Sequence, residues 1–184
     1  MPAHPGDIVG FWRNAGPRRW FAKSTAFDEA IRLKFEPTHF AAARGEYDAW
    51  MASAEGALAL LILLDQFPRN LWRGSAHAFA TDPLARHVAA QAIDAGHDLR
   101  VEPDLRPFFY LPFEHSEAMV DQDRSVALHE ALAAEVGDPE VAKWARGHRD
   151  IIVRFGRFPH RNRAMGRITT AEEEAFLDEG GFAG

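Results

Sequence analysis

The residues best suited to acid–base chemistry lie in the stretch Phe108–Glu117, where an aromatic block runs directly into His115 and Glu117. If this stretch continues as one helix, Glu114, Glu117 and Asp121 fall at i, i+3 and i+7 and share one carboxylate face. Positioned imidazole and carboxylate groups are the usual general acids and bases, so His115, Glu117 and Asp121 are candidate catalytic residues. Whether residues 113–136 form one helix or two stays open.

Other kinds of catalytic site are not predicted. Nucleophilic catalysis would need Ser116 beside an oriented base, but neighbouring His115 and Ser116 point apart on a helix. The G-x-S-x-G elbow and the H-E-x-x-H zinc motif are absent, and the chain has no cysteine. Neither glycine-rich nucleotide loop occurs, so we expect no metal and no cofactor.

Positive charge is concentrated near the C-terminus, between Lys143 and Arg167. That segment has eight basic residues and one acidic residue, Asp150, whereas the whole chain has a net charge of −6. Guanidinium groups bind phosphate or carboxylate well, so the segment could form an anion site. The alternative, which we favour, is pairing within the protein with acidic helices, particularly the stretch that contains Glu114, Glu117, Asp121 and Asp123.

Two short segments resemble each other: QFPRN at 66–70 and RFPHRN at 157–162. Each places an Arg-Asn pair after a proline. The match is either chance or, as we favour, the same helix-stop chemistry used twice. In the second segment Arg157 and Arg161 bracket a proline-stiffened turn that could hold an anion, and His160 could act there as a proton carrier.

Further polar residues are assigned from their surroundings. Asp65 ends the most apolar helix, so we expect it to pair with Arg69 or with an arginine of the basic segment. His148 lies on an apolar stripe and is expected to be a core histidine bonded to a backbone carbonyl. The predicted structural polar residues are Asp65, Gln66, His148 and Asp150. The predicted ligand-binding residues are Arg69, Asn70, Tyr110, Arg157, His160, Arg161 and Asn162.

Helical periodicity dominates the chain and predicts an all-α fold of seven to nine helices. Ser24 or Thr25 caps a helix with Phe27, Ile31 and Phe35 on one face, and Ser53 caps an apolar helix that stops at Pro68. Asp82-Pro83 and Asp138-Pro139 each supply a capping aspartate and an N1 proline, which predicts a helix start. The helix after Asp138 places its apolar stripe on Val141, Trp144, Ala145, His148, Ile152 and Phe155 and ends at Gly156. Asp121 could cap a new helix, and Thr169 and Thr170 both show a capping box for a last helix.

Length and composition define a broad class. The 184 residues are 47% hydrophobic and 26% charged, which is typical of one globular domain spanning 1–184, with the last eight or so residues as a flexible tail. The longest apolar run is eight residues, too short for a membrane span, and no signal peptide is recognised. The net negative charge disfavours nucleic-acid binding. Together with the absence of cysteine, these features lead us to expect a cytoplasmic protein.

Several strings resemble an uncharacterised bacterial family, domain of unknown function 924. These strings are FDEAIRLKF, LLILLDQFPRNLWRG, AFATDPLA, FFYLPFEHSE, DQDRSVALHE and HRDIIVRFGRFPHRN. The resemblance spans about residues 7–176 and implies a compact helical array with a tetratricopeptide-like α-α superhelix, although no 34-residue signature repeats here. It implies no activity. The polar motif positions that the resemblance assigns in this chain, and which suggest a shared site, are Asp65, Gln66, Arg69, Asn70, Tyr110, His115, Ser116, Glu117, Asp121, Gln122, Ser125, His148, Asp150, Arg157, His160, Arg161 and Asn162.

Two functions remain open at this point. The preferred hypothesis is a binding module with a polar Arg/His/acid site for an anionic small molecule, peptide or protein partner. The alternative is an enzyme that uses His115 or His160 as acid–base with arginine support. A deep cleft that gathers His115, Glu117, Asp121 and the arginines would favour the enzyme.

Overall fold

The computed structural model describes residues 3–184 and confirms the all-α prediction. The protein is 72% helical, and no strand occurs in this range. The chain forms two compact units: unit 1 runs through Arg73 and includes His77–Pro112, and unit 2 combines Gly74–Ala76 with Phe113–Gly184. The single domain expected from the length and the tetratricopeptide-like arrangement stay predictions.

Unit 1 contains the N-terminal helices and most of the large aromatic side chains. Its helices are α1 (Pro5–Ala15), α2 (Pro17–Trp20), α3 (Thr25–Ala43), α4 (Ala54–Leu61), α5 (Phe67–Leu71) and α6 (Asp82–Asp94). The next helix, α7 (Pro107–Glu114), contains the boundary between the two units. Ser24 is the N-cap of α3, and its hydroxyl accepts a hydrogen bond from the backbone N–H of Phe27, as the sequence predicted.

The most apolar helix begins as predicted but does not stop at Pro68. Ser53 caps α4, and every residue from Gly56 to Leu61 is buried. The helix then widens into a π-helical turn, Ile62–Gln66, and continues as α5. Pro68 has no N–H to donate to the carbonyl of Leu64, four residues before it, and that carbonyl accepts a hydrogen bond from the hydroxyl of Thr81 instead. With α4 to α5 counted as one helix, residues 3–184 form nine α-helices, the upper end of the predicted range.

The core of unit 1 is built from stacked and edge-on aromatic rings. Trp12 packs against Phe27, Phe67 and Phe108 with ring centroids 5.6–6.0 Å apart. The indole N–H of Trp20 donates to the carbonyl of Trp12 at 2.7 Å, which satisfies a buried polar group inside this cluster. These rings lie in the interior and therefore do not form a binding surface.

Asp82 is the first residue of α6 and not its cap, so that part of the prediction is wrong. Thr81 occupies the N-cap position and makes no capping bond with its side chain, which donates instead to the carbonyl of Leu64 at 2.5 Å. The carboxylate of Asp82 binds Arg69 at 3.0 Å. The side chain of Asp82 thus forms a long-range ion pair with Arg69 instead of the local capping hydrogen bond that the sequence predicted.

Unit 2 contains α8 (Met119–Val136), α9 (Lys143–Phe155) and α10 (Ala171–Asp178). Asp138 caps a short 3-10 helix that leads into α9, and Gly156 ends α9 in the left-handed region at φ 68°. Thr170 and Glu173 form the predicted capping box of α10; Thr169 lies before the cap. These local signals predicted the helix ends well because each cap acts over a few residues.

The apolar stripe predicted for α9 is divided between the interior and the surface. Ala145, His148 and Ile152 are buried as expected, but Trp144 is 64% exposed. Val141 precedes α9, in the 3-10 helix. The prediction of one continuous buried stripe is therefore wrong, because the face with Trp144 and Phe155 is turned partly toward solvent.

Candidate functional site

Asp65 is buried and ion-paired in unit 1, as the sequence predicted. Its carboxylate lies 3.3 Å from the guanidinium of Arg69, which also binds Asp82 through two hydrogen bonds of 3.0 and 3.1 Å. Burial alone would lower the pKa of Arg69, but the carboxylates of Asp65 and Asp82 outweigh it and raise that pKa. Gln66 donates to Asp65 at 2.6 Å and completes a polar cluster that joins two helices.

The other candidate residues of unit 1 also have partners within it. Asn70 donates to Asp28 at 2.8 Å, and Arg73 binds the same carboxylate at 2.6 and 2.9 Å. The hydroxyl of Tyr110 donates to Asp98 at 2.9 Å, and both residues are buried. These contacts anchor parts of the chain to one another, and they involve Asn70 and Tyr110, two of the three unit 1 residues expected to bind a ligand.

In unit 2 the chain breaks between α7 and α8, which answers the question left open for residues 113–136. The side-chain amide of Gln122 donates to the carbonyls of Glu114 and Ser116, both at 2.6 Å, and so caps the end of α7. The hydroxyl of Ser116 donates to Asp121 at 2.6 Å and accepts from the N–H of Ala118. Two helices form, and Ala118 is the N-cap of the second. The expectation that Asp121 caps it is wrong.

The single carboxylate face expected from Glu114, Glu117 and Asp121 is also wrong, because these residues do not share a helix. Glu117 lies in the connection and binds the guanidinium of Arg167 at 2.7 and 3.0 Å. It also accepts the N–H of Phe158 at 2.8 Å. Burial would raise the pKa of Glu117, but these hydrogen bonds and the Arg167 charge lower it overall. Its carboxylate therefore holds the connection between α7 and α8 against the segment that contains Phe158 and Arg167.

Arg157 and Asn162 of the predicted anion turn both bind Glu173. Arg157 donates to the two carboxylate oxygens at 2.6 and 2.7 Å, and Asn162 donates at 3.1 Å. The N–H of Thr170 is a further donor at 2.8 Å. The hydrogen bonds from Arg157 are the largest cause that lowers the pKa of Glu173, to about 2.

Most other charges of the basic segment are paired within unit 2, as favoured from the sequence, although several partners differ from those expected. The pairs are Lys143–Glu140, Arg146–Glu130, Arg149–Asp123 and Arg154–Glu172. Arg161 is buried, with its guanidinium 4.6 Å from the centre of the Phe158 ring. The side chain of Arg163 makes no hydrogen bond or ion pair with any residue in the described range.

Glu114 brings two imidazoles together in the interior of unit 2. One oxygen lies 3.2 Å from Nδ1 of His148 and the other 3.9 Å from Nε2 of His129. Nδ1 of His148 also lies 2.9 Å from the carbonyl of Trp144, which is the backbone contact expected from the sequence. Burial lowers the pKa of His129 against the opposing effect of its hydrogen bond to the Ser125 carbonyl. His115 is nearby, with its ring centre 6.4 Å from that of His148.

An open cleft of about 360 Å³ lies beside this cluster, and we call it the aromatic cleft. One face of α9 forms its floor, with Trp144, His148, Ile151 and Phe155 spaced as one side of a helix. Phe176 of α10 and Phe182 of the C-terminal segment form the remaining walls.

Phe182 lies in the segment expected to be a flexible tail, and it packs against the edge of His148 with ring centres 4.4 Å apart. Its ring is also 5.1 Å from His160. The backbone that brings it there requires glycine, because a Cβ on Gly181 would meet the carbonyl oxygen of Phe176 at 2.4 Å.

Three polar side chains line the aromatic cleft: His148, Asp150 and Arg154. Of the residues proposed from the sequence, only His148 and Asp150 are among its walls. The candidates His115, Glu117, Asp121 and His160 are not. The cleft residues that were not proposed as site residues from the sequence are Trp144, Arg154 and the three phenylalanines. The sequence signal that could have indicated the cleft is Trp144, which was assigned to the buried stripe of α9.

Two features are absent from the part of the chain that the structure describes. No helix within residues 3–184 is long and apolar enough to cross a membrane. No group of three or more histidine, aspartate or glutamate side chains in that range is placed to hold a metal ion.

The fold and the cleft define an all-α protein with an open aromatic cleft, and comparison with known proteins shows its family. Residues 8–181 match the family described as bacterial protein of unknown function (DUF924), and the chain belongs to that family. The structure is similar to that of a protein of unknown function from Agrobacterium tumefaciens, with 52% sequence identity and a TM-score of 0.91. That match covers 96% of this chain and 97% of the other. No curated protein matches the chain.

Proposed function

We propose that this protein is a binding module for a small molecule, which occupies the aromatic cleft of unit 2. The observation that carries the proposal is the cleft itself: about 360 Å³, with four aromatic walls and three polar groups. Ligand sites usually measure about 300–1,000 Å³ and combine apolar walls with a few polar groups that fix orientation. An exposed tryptophan at the edge of such a cleft is a common recognition element.

Binding is favoured over catalysis because the predicted acid–base residues have other contacts. Glu117 holds Arg167 and the Phe158 backbone, and Asp121 accepts a hydrogen bond from Ser116. Neither residue lines the cleft, and neither does His115 or His160.

The cleft is also a better ligand site than the turn at 156–162. Both carboxylate oxygens of Glu173 bind Arg157, and those of Glu117 bind Arg167. An anion at this turn would have to compete with an intramolecular carboxylate for each of these arginines. We therefore place the ligand in the cleft and treat the turn as a structural element.

One observation supports an enzyme as the second candidate. His148 lines the cleft, and its imidazole lies 3.2 Å from the buried carboxylate of Glu114. A carboxylate that orients an imidazole facing a ligand site is the arrangement of a general base. A ligand converted by the wild type but unchanged with His148→Gln would favour the enzyme, whereas a ligand recovered intact from both would favour binding.

The binding proposal can be tested by nuclear magnetic resonance on the indole N–H signals of the five tryptophans. The protein is titrated with small compounds that carry a bulky alkyl group and are positively charged, neutral or negatively charged. The signal of Trp144 is assigned as the one that is missing from the spectrum of Trp144→Phe. We expect a saturable shift of the Trp144 signal. Trp50, which stacks on Tyr47 in unit 1, is the matched control and should not move. Shifts confined to other tryptophans would contradict the proposal.

A further inference from the structure

The fixed charges around the aromatic cleft do not cancel. Arg154 is paired with Glu172 at 3.0 Å, so its positive charge is matched. The side chain of Asp150 is exposed and makes no hydrogen bond or ion pair with any residue of the described range. The acids of α10 include the partners of nearby arginines, since Glu172 binds Arg154 and Glu173 binds Arg157. Among the side chains that line the cleft, the charge left unmatched is therefore the negative charge of Asp150.

Part of the cleft already holds a cation against aromatic rings. The guanidinium of Arg154 lies 4.6 Å from the ring centre of Phe155 and 5.7 Å from that of Phe176. Both distances are within the range of a cation–π contact, in which the negative face of the ring attracts positive charge. Those two rings are thus engaged by the protein itself.

Trp144 and Phe182 form a second pair of aromatic walls in the same cleft. Their ring centres are 6.5 Å apart and their planes are inclined by 55°. Within residues 3–184, no lysine or arginine makes a cation–π contact with the ring of Trp144 or of Phe182. Tryptophan is the strongest of the aromatic side chains in attracting a cation.

We propose that the aromatic cleft binds an organic cation, an alkylated ammonium group, against Trp144 and Phe182 with Asp150 as its counter-charge. The inference rests on the proposed function, since it specifies the ligand class of that site. It replaces the anionic ligand expected from the basic segment, because Arg154 is paired already and Asp150 would repel an anion. An alkylated ammonium suits this site because its methyl groups can pack on rings while its charge meets Asp150.

Isothermal titration calorimetry of the full chain with three probes of similar shape tests this inference. Choline carries the positive charge. Its tert-butyl analogue, in which carbon replaces the ammonium nitrogen, is neutral, and tert-butylacetate is negative. We expect saturable choline binding, about tenfold weaker binding of the neutral analogue, and none of the anion. Asp150→Asn should weaken choline binding about tenfold, and Trp144→Ala should abolish it.

Asp104→Asn, at an exposed carboxylate of unit 1, is the matched control and should leave choline binding unchanged. Circular dichroism establishes that each variant is folded. The cation inference would be overturned if choline and its neutral analogue bound with equal affinity and Asp150→Asn did not change that affinity. If Trp144→Ala still abolished binding of both, the cleft would remain a ligand site. If none of the three probes bound, the inference would be overturned. The proposed function would be contradicted as well only if the nuclear magnetic resonance titration with the broader set of compounds also gave no shift of the Trp144 signal.

Discussion

Glu173 accepts hydrogen bonds on both of its carboxylate oxygens from the guanidinium of Arg157, at 2.6 and 2.7 Å. The glutamate side chain is 3% exposed, and it also receives the N–H of Thr170 and the amide of Asn162. This one carboxylate therefore ties α10 to the turn that follows α9. The turn that looked like an anion site from its sequence already contains an anion, supplied by the protein.

The first prediction concerns acid stability. The pKa of Glu173 in the folded protein, about 2, lies below its ordinary value of 4.5. The unfolded chain therefore binds this proton more readily, and the stabilisation is complete above pH 4.5 and is lost as the pH falls toward 2. Urea unfolding between pH 5 and 2.5 should show a smaller loss for Glu173→Gln than for wild type. Glu174→Gln, exposed on the same helix, should behave like wild type, and parallel curves for all three would contradict the account.

The second prediction concerns added anions. Inorganic phosphate, titrated at constant ionic strength, should not raise the melting temperature in a saturable way, because Arg157 and Arg167 already bind carboxylates. Arg157→Ala should lower the melting temperature in phosphate-free buffer. A saturable rise that disappears with Arg161→Ala would instead establish an anion site at the turn.

The third prediction concerns the polar cluster of unit 1. Asp65→Ala leaves Arg69 with Asp82 as a partner, so it should cost about 3 kcal/mol of unfolding free energy. Arg69→Ala leaves two buried carboxylates without their shared cation and should cost about 5 kcal/mol. Arg13→Ala breaks an exposed pair with Glu102 and should cost less than about 1 kcal/mol. A loss for Arg69→Ala no larger than for Arg13→Ala would rule out a stabilising cluster.

The fourth prediction concerns pH near neutrality. Burial is the largest cause that lowers the pKa of His39 below 6.5, and His77 adds to it, while the Leu63 carbonyl and Glu36 oppose it. The folded state therefore prefers the neutral imidazole, and its contribution to stability is present above pH 6.5 and declines as the pH falls. His39→Gln should flatten the loss of stability between pH 7.5 and 5.5. The exposed His87→Gln should keep the wild-type slope, and the same slope for His39→Gln would contradict this assignment.

The parts of the fold that sequence reasoning predicted are those fixed by local chemistry. Ser24 and Thr170 cap helices because each side chain reaches a backbone N–H three residues ahead. Pro68 misled the prediction because a π-helical turn, which depends on the surrounding packing, carries the helix past it.

The candidate site was less predictable because its contacts join distant parts of the chain. Glu114 and His148 are separated by 34 positions, and no local pattern indicates that they meet. The long apolar face of α9 predicted burial, whereas the structure uses part of it as the floor of a cleft. Trp144 fits either role by its spacing alone, and its 64% exposure decides between them.

The central claim, that the aromatic cleft of unit 2 is a ligand site, is tested most directly by intermolecular nuclear Overhauser effects to bound choline. The account predicts contacts from the choline methyl protons to the ring protons of Trp144 and Phe182. These contacts should be weaker in Asp150→Asn at the same choline concentration, because less choline is bound. Contacts to aromatic rings elsewhere in the protein, with none to Trp144 or Phe182, would contradict it.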